Sequence, residues 1–187
     1  EAWKDAIHQA RHSVHMEYYI WWADETGIEM RDLLIARARE GVRCRVLIDA
    51  VGSININNTF LQPFLDGGIS VAFFLPLATW KRRWSPHLRN HRKILVIDGT
   101  TGFIGSQNIS DDDRGKNPEF SIWHNVHLKI TGPAVNRLQA VFLDDWNFAS
   151  EERIKEGPTT APQLADAGQA VQILPTGPDC KEHVPER

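Results

Sequence analysis

Short segments of strand character alternate with amphipathic helical segments along the first 75 residues, and this order restricts the possible folds more than any other feature. The stretches rich in aromatic and β-branched residues are 15–22, 42–50 and 69–75, and those with apolar residues at helical spacing are 2–11, 24–41 and 58–65. Asp24 or Thr26 can cap the second helix, and Gly41 can end it. Strands and helices that alternate at short spacing predict an α/β fold, with a parallel or mixed sheet flanked by helices.

The composition excludes several classes of protein. Apolar residues make up 42% of the chain and charged residues 24%, which argues against intrinsic disorder. The 21 Lys and Arg residues are outnumbered by 24 Asp and Glu residues, so no overall basic field attracts nucleic acid or anionic lipid. No apolar run reaches membrane-spanning length, which predicts a soluble chain. Cys44 and Cys180 lie far apart and define neither a disulfide framework nor a zinc knuckle.

The centre of the chain predicts a β-hairpin with polar side chains on one face. Apolar runs at 94–97 and 103–104 flank the Gly-containing sequence 98–101, which is typical of a hairpin turn. His91 and Lys93 are two residues apart, so on a strand their side chains project from the same face. Asp98 has the opposite parity and lies at the turn, which favours a structural role with hydrogen bonds to nearby backbone.

The register of this hairpin determines which residues face each other. If the turn pairs residues 97 and 102, Asn108 lies opposite His91, and Ser106 lies opposite Lys93. Opposed Cβ atoms are then expected about 4.5–5.5 Å apart. One face would hold an imidazole, an ammonium, a hydroxyl and a carboxamide. That set suits a phosphate, because it combines a nucleophile or base, a cation and two neutral hydrogen-bonding groups.

The spacing of His91, Lys93 and Asp98, followed by Gly105-Ser106-Gln107-Asn108, resembles the HKD signature of the phospholipase D superfamily. Further residues resemble bacterial cardiolipin synthases, namely those at 17–20, 90–94, 98–99, 103–105, 108–109, 118–120, 132–135 and 145–146. The resemblance extends from residue 1 to about residue 178. It implies a phospholipase D-like mixed β-sheet flanked by helices.

The resemblance also implies a phosphoryl transfer through a covalent phosphohistidine, with no metal or other cofactor. His91 would supply one histidine of the pair that attacks phosphorus and protonates the leaving alcohol. Lys93, Ser106 and Asn108 would hold the non-bridging oxygens of the phosphate. Asp98 belongs to the catalytic motif. Glu119 is expected to accept a hydrogen bond from a catalytic imidazole and so to fix its tautomer.

Enzymes of this superfamily have two HKD motifs, one in each half, whereas this sequence contains one. Residues 1–150 are therefore predicted to form one catalytic half-domain. Residues 151–187, rich in proline with a strand-like patch at 170–174, are predicted to be a linker and the start of a second half-domain. The chain is expected to be the first half of a longer enzyme. Its site would be completed by a second HKD half-domain of the same parent chain or by a second copy.

The resemblance implies a phosphatidyltransferase that makes cardiolipin from phosphatidylglycerol or a related phospholipid. The parent enzyme is expected at the cytoplasmic side of the bacterial inner membrane. Six cationic residues and no acidic residue lie between Lys81 and Lys93, and the nearby Trp80 and Trp84 favour contact with lipid headgroups over nucleic acid. The alternatives are a phospholipase or nuclease completed by homodimerisation, and a non-catalytic phosphate-binding module.

A zinc site is a further alternative, built from His87, His91, His124 and His127. The spacing of His87 and His91 suits a helix, but the residues that follow His91 are predicted to form a strand. No cysteine or carboxylate in this sequence region completes the ligand set. We therefore expect no metal.

Overall fold

The computed structural model describes residues 2–76, 89–116, 124–155 and 168–176. Within these residues the strands are β1 (Ser13–Tyr18), β2 (Arg43–Asp49), β3 (Ser70–Phe74), β4 (Lys93–Ile97), β5 (Thr101–Gly105) and β6 (His127–Thr131). The helices are α1 (Ala2–His8), α2 (Glu25–Arg39), α3 (Asn58–Asp66) and α4 (Ala134–Ala149), and a short 3-10 helix covers Asp112–Arg114. The predicted α/β class is confirmed.

The six strands form one mixed sheet with the order β3-β2-β1-β4-β5-β6. Strands β1, β2 and β3 are parallel, because α2 and α3 each carry the chain back to the same edge of the sheet. Strand β4 runs antiparallel to β1, and β5 and β6 continue the antiparallel half. The carboxyl end of β1 therefore lies beside the amino end of β4, where Tyr18 pairs with Lys93.

Helices cover both faces of the sheet. On one face, Met16, Val46 and Leu95 pack with apolar side chains of α1, α2 and α3. On the other face, Ile94, Val96 and Leu47 belong to clusters completed by α4. Asp24 rather than Thr26 caps α2, since its carboxylate accepts a hydrogen bond from the Gly27 amide at 2.9 Å.

The β4–β5 hairpin is one residue tighter than the sequence predicts. Ile97 pairs with Thr101 rather than with Gly102, so the loop contains three residues. Asp98 and Gly99 both adopt left-handed backbone conformations, with φ of 52° and 64°, and these conformations close the loop early. The predicted opposition of Ser106 with Lys93 and of Asn108 with His91 is therefore wrong. The observed register continues from Ile94 and Ile104 to place Gly105 in line with Lys93.

Residues 168–176 form neither a helix nor a strand, so the strand predicted at 170–174 is not present. Arg92 reaches this segment by donating a hydrogen bond to the Thr176 carbonyl at 3.1 Å. Among the helices of the described ranges, none combines the length and apolar character needed to cross a bilayer.

Candidate active site

His91 and Lys93 come together at the amino end of β4, against the residue that follows β1. The imidazole of His91 stacks on the ring of Tyr19, with 3.8 Å between ring centroids and 18° between ring planes. The Lys93 ammonium lies 5.2 Å from the centroid of the same ring and donates a hydrogen bond to the His91 carbonyl at 2.7 Å. His91 is exposed, so its imidazole is accessible to a substrate.

The ring of Tyr19 also lies close to the backbone of Gly52. A Cβ atom at position 52 would lie 2.9 Å from two ring carbons of Tyr19 and 2.2 Å from its carbonyl oxygen. Only glycine allows the backbone to approach the ring this closely without displacing it. The Tyr19 ring therefore contacts both Gly52 and His91, an arrangement that sequence analysis did not anticipate.

The electrostatic surroundings of the Lys93 ammonium suit it to bind a phosphate. Burial lowers the pKa of Lys93, and the negative charge of Asp113 opposes that shift. The ammonium is thus partly desolvated, which strengthens its attraction for an incoming anion.

Asn108 and Ser106 belong to one polar network next to this cluster. Asn108 Oδ1 accepts a hydrogen bond from the Ile20 amide at 3.2 Å, directly after Tyr19, and Asn108 Nδ2 donates to Asp113 at 3.3 Å. Ser106 Oγ donates to Asn125 Oδ1 at 2.9 Å, and the Asn125 amide donates to the Asp113 carboxylate at 3.3 Å. Asp113 and Asn125 therefore hold both predicted phosphate-binding residues, although neither was singled out from the sequence.

The segment that leads to His91 is anchored by the buried carboxylate of Asp49. Arg89 forms an ion pair with Asp49 at 3.1 Å, and both side chains are almost fully buried. Asp49 also accepts hydrogen bonds from the backbone amides of Asn90, Val51 and Gly52. Asp49 thus links the turn after β2, which contains Gly52, to the segment that carries His91.

Asp98 lies at the opposite end of β4 from His91. The five steps along the chain from Lys93 to Asp98 span about 16 Å. Its carboxylate accepts hydrogen bonds from the amides of Arg11, His12 and Ser13 at 2.7–2.8 Å. Grouping Asp98 with the catalytic residues is therefore not supported by its position. The expected hydrogen bonds to backbone near the turn are present, and they come from the residues that lead into β1, which pairs with β4 at this end.

We expect Asp98→Asn to destabilise the fold. An amide replaces one accepting oxygen by a donor that faces backbone donors, and hydrogen bonds to a charged group are typically worth about 1.5–3 kcal/mol. Urea titration should show a loss of this size in the free energy of unfolding. Asp144→Asn is the matched control, because Asp144 is exposed on α4. Equal stability of Asp98→Asn and the parent chain would contradict this role.

Other predicted residues lie outside the described ranges, namely Glu119, His87, Trp80 and Trp84. In the described part of the chain, no three His, Cys, Asp or Glu side chains converge to hold a metal ion. His127 lies on β6, and burial lowers the pKa of its imidazole.

Comparison with known proteins assigns the family. The family model described as the cardiolipin synthase, PLD-like domain matches residues 3–146. The chain belongs to this phospholipase D-like family. Cardiolipin synthase 1 of Bacillus cereus is 39% identical over 181 residues, which cover 92% of this chain and 36% of that protein. The PLD-like domain thus spans about a third of the length of this curated relative.

Solved structures place the PLD-like domain in the same fold. NucT from Helicobacter pylori superposes with a TM-score of 0.60 at 18% identity, and the match covers 79% of this chain and 87% of NucT. Nuc from Salmonella typhimurium, described as a phospholipase D family member, gives a TM-score of 0.57 at 20% identity. This second match covers 79% of this chain and 86% of Nuc.

Proposed function

We propose that this PLD-like domain is one half of a phosphatidyltransferase that makes cardiolipin from phosphatidylglycerol or a related phospholipid. The observation that carries the proposal is the accessible His91 imidazole, held on Tyr19 beside the partly desolvated Lys93, in a domain of the cardiolipin synthase family. The name of the Bacillus cereus relative supports a lipid substrate.

The proposed reaction has two displacements at phosphorus. His91 attacks the phosphodiester of the donor lipid, a histidine–phosphorus bond forms, and the bond to the leaving glycerol breaks while a second histidine protonates its oxygen. The hydroxyl of an acceptor phospholipid then loses its proton to that histidine and attacks phosphorus, which releases His91. Lys93 stabilises the negative charge on the non-bridging oxygens, and Ser106 and Asn108 contribute hydrogen bonds at the edge of the site.

The second histidine has to come from outside this motif. We propose that a second HKD half-domain of the parent chain supplies it, and that a second copy of this domain is the alternative. The matches to NucT and Nuc, which cover most of those chains, support the idea that a domain of this size folds as a unit.

The proposed substrate also indicates where the parent enzyme acts. Phosphatidylglycerol is held in a bilayer, so we propose that the parent enzyme acts at a membrane surface. The segment that contains Trp80 and Trp84 is the candidate contact with headgroups. The same two tryptophans make nucleic acid the less favoured substrate, because indole side chains settle at the depth of lipid headgroups.

A substrate comparison tests the proposal. The parent enzyme, or this domain with its second half, is incubated with vesicles of phosphatidylglycerol and separately with single- and double-stranded DNA. We expect cardiolipin and free glycerol from the vesicles, detected by mass spectrometry, and no cleavage of DNA. Cleavage of DNA without a lipid product would support the nuclease alternative. Water-dependent release of phosphatidic acid alone would support a phospholipase.

A further inference from the structure

Asn90 and Arg92, the residues on either side of His91, point to the face of the sheet opposite to that of His91. There their side chains contact two carboxyl groups. Asn90 Nδ2 donates hydrogen bonds to Glu17 Oε1 and, at 3.3 Å, to Asp145 Oδ2. Arg92 Nη1 donates to the same Asp145 oxygen at 2.5 Å. Because side chains alternate along an extended segment, Asn90 and Arg92 lie under the sheet while His91 and Lys93 lie above it.

The segment around His91 contacts the β1 segment on both faces of the sheet. Glu17 on β1 contacts Asn90 beneath the sheet, and Tyr19, in the bend that follows β1, stacks with His91 above it. A change in the position of Asn90 or Arg92 therefore moves His91 directly, since both are its neighbours in the chain. The Arg92 amide also donates to Asn90 Oδ1 at 3.0 Å, which ties the two flanking residues together.

Glu17 is an unusual residue for its position. It lies in a central strand beneath α4 with 1% of its surface exposed. Its Oε2 atom is buried and accepts no hydrogen bond from any group in the described ranges. An unsatisfied buried oxygen is costly, and a proton on Oε2 would turn this acceptor into a donor, for which the neighbouring Asp145 carboxylate is an acceptor.

The surrounding charges favour one proton on the pair. The charged groups that act on Glu17 are Asp145 on α4 and Arg92 before β4. The other charged or titratable groups on the α4 side of the sheet are His15 on β1, Arg45 and Asp49 on β2, Arg89 before β4 and Glu152 after α4. Arg45 pairs with Glu152, and Arg89 pairs with Asp49. His15 contacts Gln139 and Arg45. This leaves two carboxyl groups facing the single guanidinium of Arg92, so a shared proton brings the cluster to neutrality.

We propose that Glu17 and Asp145 share one proton and, through Asn90 and Arg92, act as positioning residues that hold His91 on Tyr19. Loss of the shared proton as the pH rises places two adjacent negative charges under the sheet and loosens the segment that carries His91. The inference rests on the proposed function only in taking His91 as the nucleophile.

The expected pH dependence follows from the direction of the shift. Burial and the negative charge of Asp145 raise the pKa of Glu17 well above its ordinary value, against the opposing effects of Arg92 and Asn90. The folded chain then keeps a proton that the unfolded chain releases near pH 4.5. The free energy of unfolding should fall as pH rises from that value to the raised pKa. Glu17→Gln has no such proton, so its stability relative to the parent should increase over the same interval.

NMR of the 187-residue chain tests the proposal without an activity assay. The first readout is the chemical shift of the Glu17 carboxyl carbon, which should report a protonated carboxyl group well above pH 4.5 and a titration at lower pH in Asp145→Asn. The second readout is the chemical shift of the His91 ring protons. These signals are assigned by their absence from the spectrum of His91→Asn. Stacking on Tyr19 should shift them upfield in the parent chain. Titration of Glu17 near pH 4.5 in the parent would overturn the shared proton.

Three variants separate positioning from general stability. In Glu17→Gln the upfield shift of His91 should persist to a higher pH than in the parent chain, and in Glu17→Ala it should be lost. Gln139→Leu removes a hydrogen bond on the same face of α4 and should lower stability while leaving the His91 shift in place. A loss of the shift in Gln139→Leu as large as in Glu17→Ala would overturn the proposal. If His91→Asn proved active while the shift still depended on Glu17, the proposed function would fail and the positioning inference would stand.

Discussion

His91→Asn is expected to reduce phosphatidyl transfer by about four orders of magnitude or more, since removal of a nucleophile leaves only binding and electrostatic effects. His91 is exposed and its side chain stacks on Tyr19, so its loss should change stability by about 1 kcal/mol at most. Initial rates with phosphatidylglycerol vesicles and urea titration measure the two effects. Parent enzyme quenched with detergent at neutral pH should carry a phosphatidyl group that is released on mild acid treatment and is absent from the variant.

The matched control is His8→Asn, because His8 is exposed in the last turn of α1 and lies outside the site. It should retain the parent rate. Addition of EDTA should also leave the rate unchanged, because the proposed displacement uses an imidazole and an ammonium rather than a metal ion. An active His91→Asn enzyme would refute the nucleophile assignment, and a rate abolished by EDTA and restored by zinc would favour the metal alternative.

Residues 1–187 as an isolated monomer are expected to be essentially inactive on any phosphodiester. Each displacement needs a nucleophile on one side of phosphorus and a proton donor on the other, and general acid–base catalysis typically contributes about 10²–10⁴-fold. In the described part of the chain, the side chains next to His91 are Tyr19 and Lys93, and neither is a histidine. Turnover should therefore appear only when a second half is present.

Titration of activity against protein concentration distinguishes the two sources of that half. If a second copy completes the site, specific activity should rise steeply with concentration and light scattering should report a dimer at the same concentrations. If the second half-domain of the parent is required, activity should stay absent until that half is added in equal amount. A mixture of His91→Asn domain with the parent second half serves as the inactive control. Turnover by the monomer that does not depend on concentration would contradict the prediction.

Much of the fold could be predicted from local sequence patterns. The apolar residues at helical spacing over 24–41 predict α2, and the structure has this helix over Glu25–Arg39. The alternation of short strands and helices predicts a mixed sheet, which is confirmed. The two-residue period of a strand also predicts that His91 and Lys93 share a face, and both lie against Tyr19. These features depend on neighbours within a few residues, so the sequence alone determines them.

The register of the β4–β5 hairpin could not be predicted from local sequence patterns. A three-residue and a four-residue loop both fit the sequence between Ile97 and Gly102, and a difference of one residue changes which side chains face each other. The left-handed conformations of Asp98 and Gly99 decide the outcome. They are fixed by the bonds from Asp98 to the backbone of residues 11–13, more than 80 positions earlier in the chain.

The same limit applies to the candidate site. The sequence determined the α/β fold class and marked His91, Lys93, Ser106 and Asn108 as residues suited to phosphate chemistry. Only the tertiary structure brought Tyr19 onto His91, Asp113 and Asn125 onto the phosphate-binding residues, and Glu17 onto Asp145. The physical reason is that periodicity fixes the face on which a side chain lies. Its partner on that face is chosen by strand order and by helix packing across the sheet, which join residues distant in the chain.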